Sequence, residues 1–225
     1  IAEATMLKYV LRLHEAWATW ERDAISRLLQ SPAIHVDETS LRVDQKNHWI
    51  HVYAAGDITL KRLHRKRGKE AIEAIDIIPR YGGVIIHDCW ASYLSYAHCG
   101  HGLCGSHLLR ELTFIVDANG YAWAKNMKRA LQDSCRAVAK SEDKRLSEAA
   151  YRNLQKRYRA ILTRGEKELP TIPERRPGQR GKIAKSDAHN LWERLKEHEK
   201  AVLLFAKDSN VAFTNNRVER ALRMA

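Results

Sequence analysis

Two aspartates and one glutamate, far apart in the sequence, could together hold a divalent cation. Asp37 in "IHVDET" and Asp88 in "VIIHDCW" each stand near the carboxyl end of a short apolar run, and Glu219 lies in the final "FTNNRVERALRMA". An acid at the end of a buried run costs desolvation free energy unless it is paired or binds a cation. Mg²⁺ fits best, because it is hard and prefers carboxylate and phosphate oxygens, and Mn²⁺ can substitute for it with the same ligands.

Glu219 would be the third ligand of such a site. Two metal ions roughly 3.5 to 4 Å apart can activate a nucleophile and stabilise the leaving oxygen of a phosphodiester. Arg217, Arg220 and Arg223 surround Glu219 and could face the phosphates while Glu219 faces the metal. The plainer alternatives are a surface ion pair between Glu219 and one of these arginines, and a turn-forming role for the aspartates.

Asp37 is followed directly by a second acid, Glu38. Successive side chains of a strand point to opposite faces of the sheet. We therefore expect only one of these two acids to point into a given site.

A stretch rich in cysteine and histidine, "AHCGHGLCGSH", invites a zinc interpretation. The paired ligand spacing of a zinc finger or ribbon is absent from it. We interpret the stretch as a packed strand with a functional His107, and a zinc site of Cys99, Cys104 and His107 is the less favoured alternative. The four cysteines show no secreted-type framework, which favours a reduced, intracellular protein.

The elements that must position these residues can be predicted from periodicity. An amphipathic helix ends at Ser31–Pro32, and "AIHVDETSLRV", "NHWIHVYAAGD" and "ITLKRLHR" read as three consecutive antiparallel strands. A helix that ends at Pro79 leads to the buried strand "GGVIIHD", which makes the sheet mixed. Almost everything after "GHGLCGSH" looks helical, so the residues predict an α/β or α+β fold with a large helical segment.

The charge of the chain favours a polyanionic partner. Lys and Arg number 39 against 27 Asp and Glu, a formal charge of +12. Two basic regions would suit phosphate contacts: residues 140–185, which include a loop with Arg175, Arg176, Arg180 and Lys182, and "KRLHRKRGKE" at residues 61–70. No apolar run approaches the roughly 18 residues that cross a bilayer, so we expect no membrane association. The abrupt ends of the sequence suggest a piece of a longer protein.

Six motifs in order resemble the insertion-sequence-sixty-six family of bacterial transposases: "HVDET", "RGKEA", "HDCWASY", "LCGSHLLREL", "NLWERL" and "FTNNRVERALRM". The resemblance implies a ribonuclease H-like core with a mixed sheet, interrupted by an all-α insertion. It matches Asp37 and Asp88 to the two catalytic aspartates and Glu219 to the catalytic glutamate. His107 matches a signature histidine, although Gly105 and Ser106 stand where relatives commonly have Asn-Ala.

The resemblance also divides the chain into four parts: an N-terminal helix at 1–30, a ribonuclease H-like core at 31–106, a helical insertion at 107–208 and a closing core helix at 209–225. It implies double-stranded DNA as the partner, at element ends and at the target, with no small-molecule substrate. Self-association on DNA and a cytoplasmic, nucleoid-associated location in a bacterium follow from the same resemblance.

The reaction that we expect from the resemblance has two steps. Mg²⁺-activated water cleaves a phosphodiester at the element end, and the freed 3′-hydroxyl then attacks target DNA by in-line displacement. Two alternatives remain open from the sequence: a plain nuclease that cuts but never joins DNA, and a catalytically silent DNA-binding or scaffold fragment.

Overall fold

A computed structural model describes residues 2–173 and 183–223 of the chain. The described residues form one five-stranded sheet and nine α-helices. The strands are β1 (Ala33–Val43), β2 (Lys46–Ala55), β3 (Ile58–His64), β4 (Val84–His87) and β5 (Gly100–Leu103). The helices are α1 (Glu3–Gln30), α2 (Lys69–Ile75), α3 (Ala91–Leu94), α4 (Gly105–Asn119), α5 (Ala122–Lys140), α6 (Glu148–Glu166), α7 (Asp187–Glu197), α8 (Glu199–Leu203) and α9 (Asn216–Arg223), with 3₁₀ turns at Ile78–Arg80 and Leu204–Ala206.

The sheet is mixed, and its strand order is β3-β2-β1-β4-β5. The first three strands form an antiparallel meander, as their alternating patterns predict. β4 begins beside β1, where the Val84 N–H donates to the Pro32 carbonyl at 3.0 Å. β5 begins beside β4, where the Gly100 N–H donates to the Gly83 carbonyl at 3.0 Å.

The chain divides into two compact units. The sheet unit comprises the residues up to 85, residues 90–100 and those from 216 onward. The helical unit comprises residues 86–89 and 101–215. Among the described residues, no helix combines the length and the apolar character that a membrane crossing needs.

One face of the antiparallel meander holds the larger core of the sheet unit. Val36 of β1 pairs with Tyr53 of β2, and Tyr53 pairs with Leu60 of β3. These three side chains are buried in one cluster with Ala24 and Leu28, the two buried residues of α1. Because directly opposite residues of an antiparallel pair share a face, this core fixes the register of all three strands.

The helical unit is organised around large aromatic side chains. Tyr158 of α6 donates to the Leu195 carbonyl at 2.8 Å, and Trp192 of α7 donates to the Leu162 carbonyl at 2.9 Å. A Cβ on Gly165 would lie 2.7 Å from the Trp123 side chain, so the glycine lets α5 and α6 approach closely. Serine side chains cap the starts of α6 and α7.

Several predicted boundaries differ from the structure for local reasons. α2 ends at Ile75 rather than at Pro79, because Asp76 adopts a left-handed conformation that closes the helix. The predicted strand around the cysteine and histidine residues is confined to Gly100–Leu103, so His107 lies in the first turn of α4 instead. Within the segment predicted to be helical, the chain breaks at His198, which separates α7 from α8.

Candidate active site

Asp37 is the fifth residue of β1 and lies opposite Val52 of β2. Its side chain therefore points to the same face of the sheet as that of Val52. That face carries a second apolar cluster, in which Val52 and Ala54 are fully buried together with Val218 of α9. Asp37 itself is half-buried, and its Oδ1 accepts the N–H of Glu38 at 2.9 Å.

Glu38 points to the opposite face, as the alternation of the strand predicts. Its carboxylate accepts a 2.6 Å hydrogen bond from the Tyr93 hydroxyl and lies 2.8 Å from a guanidinium nitrogen of Arg67. The Glu38 side chain is only 1% exposed. Burial, followed by the charge of Glu38, raises the pKa of Tyr93 well above its ordinary value. Asp37 is therefore the acid on the α9 face, and Glu38 is a structural anion of the sheet unit.

α9 places Glu219 on the Asp37 face. The apolar residues of this helix recur at helical spacing, with Val218 fully buried and Ala221 and Leu222 partly buried against β2. Glu219 follows Val218 directly and is half-buried. Because α9 packs on β1 and β2, the structure brings the elements that carry Asp37 and Glu219 together within the sheet unit.

The three arginines of α9 differ in their surroundings. Arg217 donates to the Gly56 and Ile58 carbonyls, so its guanidinium is directed to the turn between β2 and β3. Arg220 and Arg223 are exposed. Of the three, these two present their charge to solvent, where a phosphate could reach it.

Asp88 belongs to the helical unit and directly follows β4. Its flanking residues are held by a chain of hydrogen bonds through His87. The Cys89 N–H donates to His87 Nδ1 at 3.1 Å, so Nε2 carries the proton and donates to His101 Nδ1, also at 3.1 Å. Cys89 adopts a left-handed conformation with φ of 73°. His87 is fully buried, and burial followed by the proximity of His101 lowers its pKa to about 3.

His107 also lies in the helical unit, in the first turn of α4. The start of this helix is held against the chain before α9. The Gly105 N–H donates to the Phe213 carbonyl at 2.7 Å, and the Asn215 N–H donates to Cys104 Sγ at 3.2 Å. A Cβ on Gly105 would lie 2.3 Å from the Phe213 ring. The absence of a side chain at Gly105 therefore allows the start of α4 to pack closely against Phe213. His107, two residues further along the helix, is half-buried.

Cys99 fits a packing role better than a zinc ligand. Its thiol donates to the Tyr81 carbonyl at 3.1 Å, and burial raises its pKa to about 11. A zinc ligand must instead be a thiolate. All four cysteines are free thiols.

The structure describes only part of the sequence-predicted residues, and it shows contacts that sequence reasoning did not predict. Arg175, Arg176, Arg180 and Lys182 fall outside the described residues. Sequence reasoning gave no role to Tyr93 and assigned Arg67 only to the basic region at residues 61–70, although both residues stand in motifs quoted for the family resemblance, "HDCWASY" and "RGKEA". The structure shows that both residues contact Glu38, the neighbour of Asp37.

Comparison with protein families identifies the chain. The sequence profile described as "Transposase IS66 family" matches residues 1–225, the whole length of the chain. Comparison with curated proteins found no match. Since the profile covers every residue, the chain belongs to the IS66 family of transposases.

Proposed function

We propose that this chain is the catalytic core of a DNA transposase, which cleaves phosphodiester bonds at element ends and joins the freed 3′-hydroxyl to target DNA. Family membership supports the transposase role and DNA as the partner. The observation that supports the proposed site most is the packing of α9. Val218 is buried with Val52, the cross-strand partner of Asp37, so Glu219 is carried on the face to which Asp37 points.

The proposed fold is a ribonuclease H-like core with a helical insertion. A mixed sheet that begins with an antiparallel meander supports the core, and the succession α4 to α8 between β5 and α9 supports the insertion. In this proposal α9 returns the chain to the core, which accounts for its packing on β1 and β2.

The donor chemistry fits Mg²⁺. Asp37, Asp88 and Glu219 offer only carboxylate oxygens, which this hard cation prefers, and Mn²⁺ would bind to the same ligands. Bound Mg²⁺ would supply Lewis-acid activation of the attacking oxygen and neutralise charge on the leaving oxygen.

The other residues of the chain would bind and orient DNA. Arg220 and Arg223, which are exposed on α9, would hold backbone phosphates close to Glu219. We assign the same role to the basic loop with Arg175, Arg176, Arg180 and Lys182, and we place His107 near the phosphates. Arg217 would act indirectly, by holding α9 to the turn between β2 and β3. Assembly of several copies on paired element ends completes the proposal.

Strand transfer tests the proposal directly. The chain is incubated with Mg²⁺ or Mn²⁺, a supercoiled plasmid and a labelled duplex that ends in the terminal sequence of its element. We expect joined products, and we expect Asp37→Asn, Asp88→Asn and Glu219→Gln each to abolish them. Asp44→Asn is the matched control, because Asp44 lies in the hairpin turn with φ of 47°, where asparagine is tolerated.

Three outcomes contradict the proposal in different ways. Nicked plasmid without joined product would show a nuclease. Equal activity in the wild type and the three carboxylate variants would place the active site elsewhere. DNA binding that is unchanged by all three substitutions, with neither cleavage nor binding of divalent ions, would show a DNA-binding scaffold.

A further inference from the structure

The outer edge of the sheet unit contains a groove that the proposed active site does not use. It is lined by His48, Leu63, His64, Arg65, Lys66 and Glu70, and its volume is about 500 Å³. β3 is an edge strand of the sheet, and the groove lies where β3 passes into the turn before α2. We call these six residues the β3 groove.

The turn that forms the groove is anchored at Lys66. The Lys66 N–H donates to His64 Nδ1 at 3.0 Å, and the Lys66 carbonyl lies 3.3 Å from His51 Nε2. His51 is 1% exposed, and burial is the main cause that lowers its pKa. A neutral His51 with its proton on Nε2 therefore donates to the carbonyl. Both backbone polar groups of Lys66 are thus satisfied, which fixes the conformation of the turn without using its side chain.

Arg67 turns away from the groove. Its guanidinium carbon lies 5.0 Å from the centroid of the Trp49 ring and 4.5 Å from that of the Trp90 ring, and the guanidinium also pairs with Glu38. These cation–π contacts and the ion pair with a buried carboxylate hold Arg67 against the sheet unit. The two preceding cations, Arg65 and Lys66, are exposed.

Binding of an anionic ligand to Arg65 and Lys66 would cost little conformational entropy. Because the Lys66 backbone and the Arg67 side chain are held by these contacts, binding a ligand would mainly order the side chains of Arg65 and Lys66. His64, whose Nδ1 accepts the Lys66 N–H, retains Nε2 as a donor in the same groove, and Glu70 is its one acidic lining residue among those that the structure describes. Such a set suits a ligand with several phosphates.

We propose that the β3 groove binds the phosphate backbone of double-stranded DNA, with Arg65 and Lys66 each contacting a phosphate. The inference rests on the proposed function in taking DNA as the polyanion. It locates a phosphate interface of the sheet unit within the basic region at residues 61–70, and this interface is separate from the basic loop with Arg175, Arg176, Arg180 and Lys182. Phosphate contacts carry no base information, so this groove positions the duplex and does not select its sequence.

The salt dependence of DNA binding tests the groove. Affinity for a labelled random-sequence duplex is measured at several salt concentrations in EDTA, so that no cleavage occurs. Each phosphate contact contributes about 0.9 to the slope of log K against log salt. We expect the double variant Arg65→Gln/Lys66→Gln to lower that slope by about 1.8 and the affinity at low salt by about tenfold.

The matched control removes the same charge from an exposed part of the same unit. Lys8 and Arg12 are exposed on α1, and Lys8→Gln/Arg12→Gln should change neither quantity appreciably. An unchanged slope in the groove variant, or an equal loss in the α1 control, would overturn the proposal.

The anchored turn is tested by His51→Phe, which removes the contact to Lys66 without removing a charge. We expect severalfold weaker binding with the wild-type slope, and wild-type affinity would contradict the role of the anchor.

The groove and the proposed active site can fail separately. Binding in EDTA requires no metal and no carboxylate triad. A lower slope in the groove variant, with cleavage that is unaffected by Asp37→Asn, would support the groove and contradict the proposed active site. The reverse pattern would support the active site and contradict the groove.

Discussion

Tyr93 donates a 2.6 Å hydrogen bond to Glu38, and this contact joins the strand that carries Asp37 to a helix that begins three residues after Asp88. Glu38 also pairs with Arg67, which lies between the rings of Trp49 and Trp90. The buried anion therefore connects three segments that are distant in sequence. Its position next to Asp37 means that the orientation of β1 at the proposed site depends on these contacts.

Loss of the Tyr93 hydroxyl should destabilise the protein. Tyr93→Phe removes a hydrogen bond to a charged, buried carboxylate, and we expect the free energy of unfolding to fall by about 1.5–3 kcal/mol. Urea denaturation measures the change. Tyr9→Phe is the control, because Tyr9 is 63% exposed on α1 and should leave stability unaltered. Equal stability of Tyr93→Phe and the wild type would show that the hydrogen bond contributes nothing.

The close approach of α4 to the chain before α9 depends on the absence of a side chain at Gly105. A Cβ there would meet the Phe213 ring at 2.3 Å, so Gly105→Ala should lower the free energy of unfolding by about 1–3 kcal/mol. Phe213→Leu should remove part of the clash, making the double variant more stable than the sum of the single effects predicts. Gly82→Ala is the control, because a Cβ on Gly82 meets nothing within 4 Å. Additive effects would contradict the steric explanation.

The stability of the protein should depend on which residue stands at position 89, because the backbone after Asp88 is left-handed there. With φ of 73°, Cys89 lies in the region that glycine tolerates and β-branched residues do not. We expect Cys89→Val to cost about 1–3 kcal/mol in unfolding free energy, while Cys89→Gly and Cys89→Ala stay close to the wild type. Thermal or urea unfolding ranks the three variants. A valine variant as stable as the alanine variant would contradict strain at this turn.

Acidification should destabilise the sheet unit through His51. Burial is the first cause that lowers the pKa of His51 below 6.5, and the proximity of His64 and Arg67 lowers it further, against the opposing effect of the Lys66 carbonyl. The unfolded chain therefore takes up a proton near pH 6.5 that the folded chain does not. The stability that this neutral histidine contributes is fully present above pH 6.5. It is lost as the pH falls from 6.5, the pKa of His51 in the unfolded chain, towards its lower pKa in the folded protein.

The measurement is urea unfolding at pH 7.5 and 5.5. We expect His51→Phe to lose less stability between these conditions than the wild type does. The exposed His14 provides the control His14→Gln, which should retain the wild-type difference. A pH dependence that is identical in His51→Phe and the wild type would exclude His51 as its source.

Local pattern was sufficient to predict the strands and the alternation at Asp37 and Glu38. The three strands of the meander have partial alternation and polar breaks, and α1 ends before Ser31–Pro32 as predicted. The partners of Glu38 could not be predicted, because Arg67 and Tyr93 are 29 and 55 residues away and only the folded sheet unit brings them to it.

The start of α4 shows a second limit of predicting secondary structure from the sequence pattern. The glycines and small residues before Leu108 are poor helix formers, so the sequence favours a strand or loop at His107. Packing of Gly105 against Phe213 and the backbone hydrogen bond between these residues extend the helix to Gly105 instead. Arg217 is a similar case, since a carbonyl at Gly56 competes for the guanidinium that the sequence assigns to phosphate.

The central claim, that Asp37, Asp88 and Glu219 act as one metal site, is tested most directly by an anomalous-scattering map from crystals soaked in Mn²⁺. We predict a peak within coordination distance, roughly 2.2 Å, of carboxylate oxygens of Asp37 and Asp88, with Glu219 in the same site or in an adjacent one. The peak should disappear in crystals of Asp37→Asn soaked in the same way. A map with no peak at these carboxylates, or one in which the wild type and Asp37→Asn show the same peak, would contradict the account.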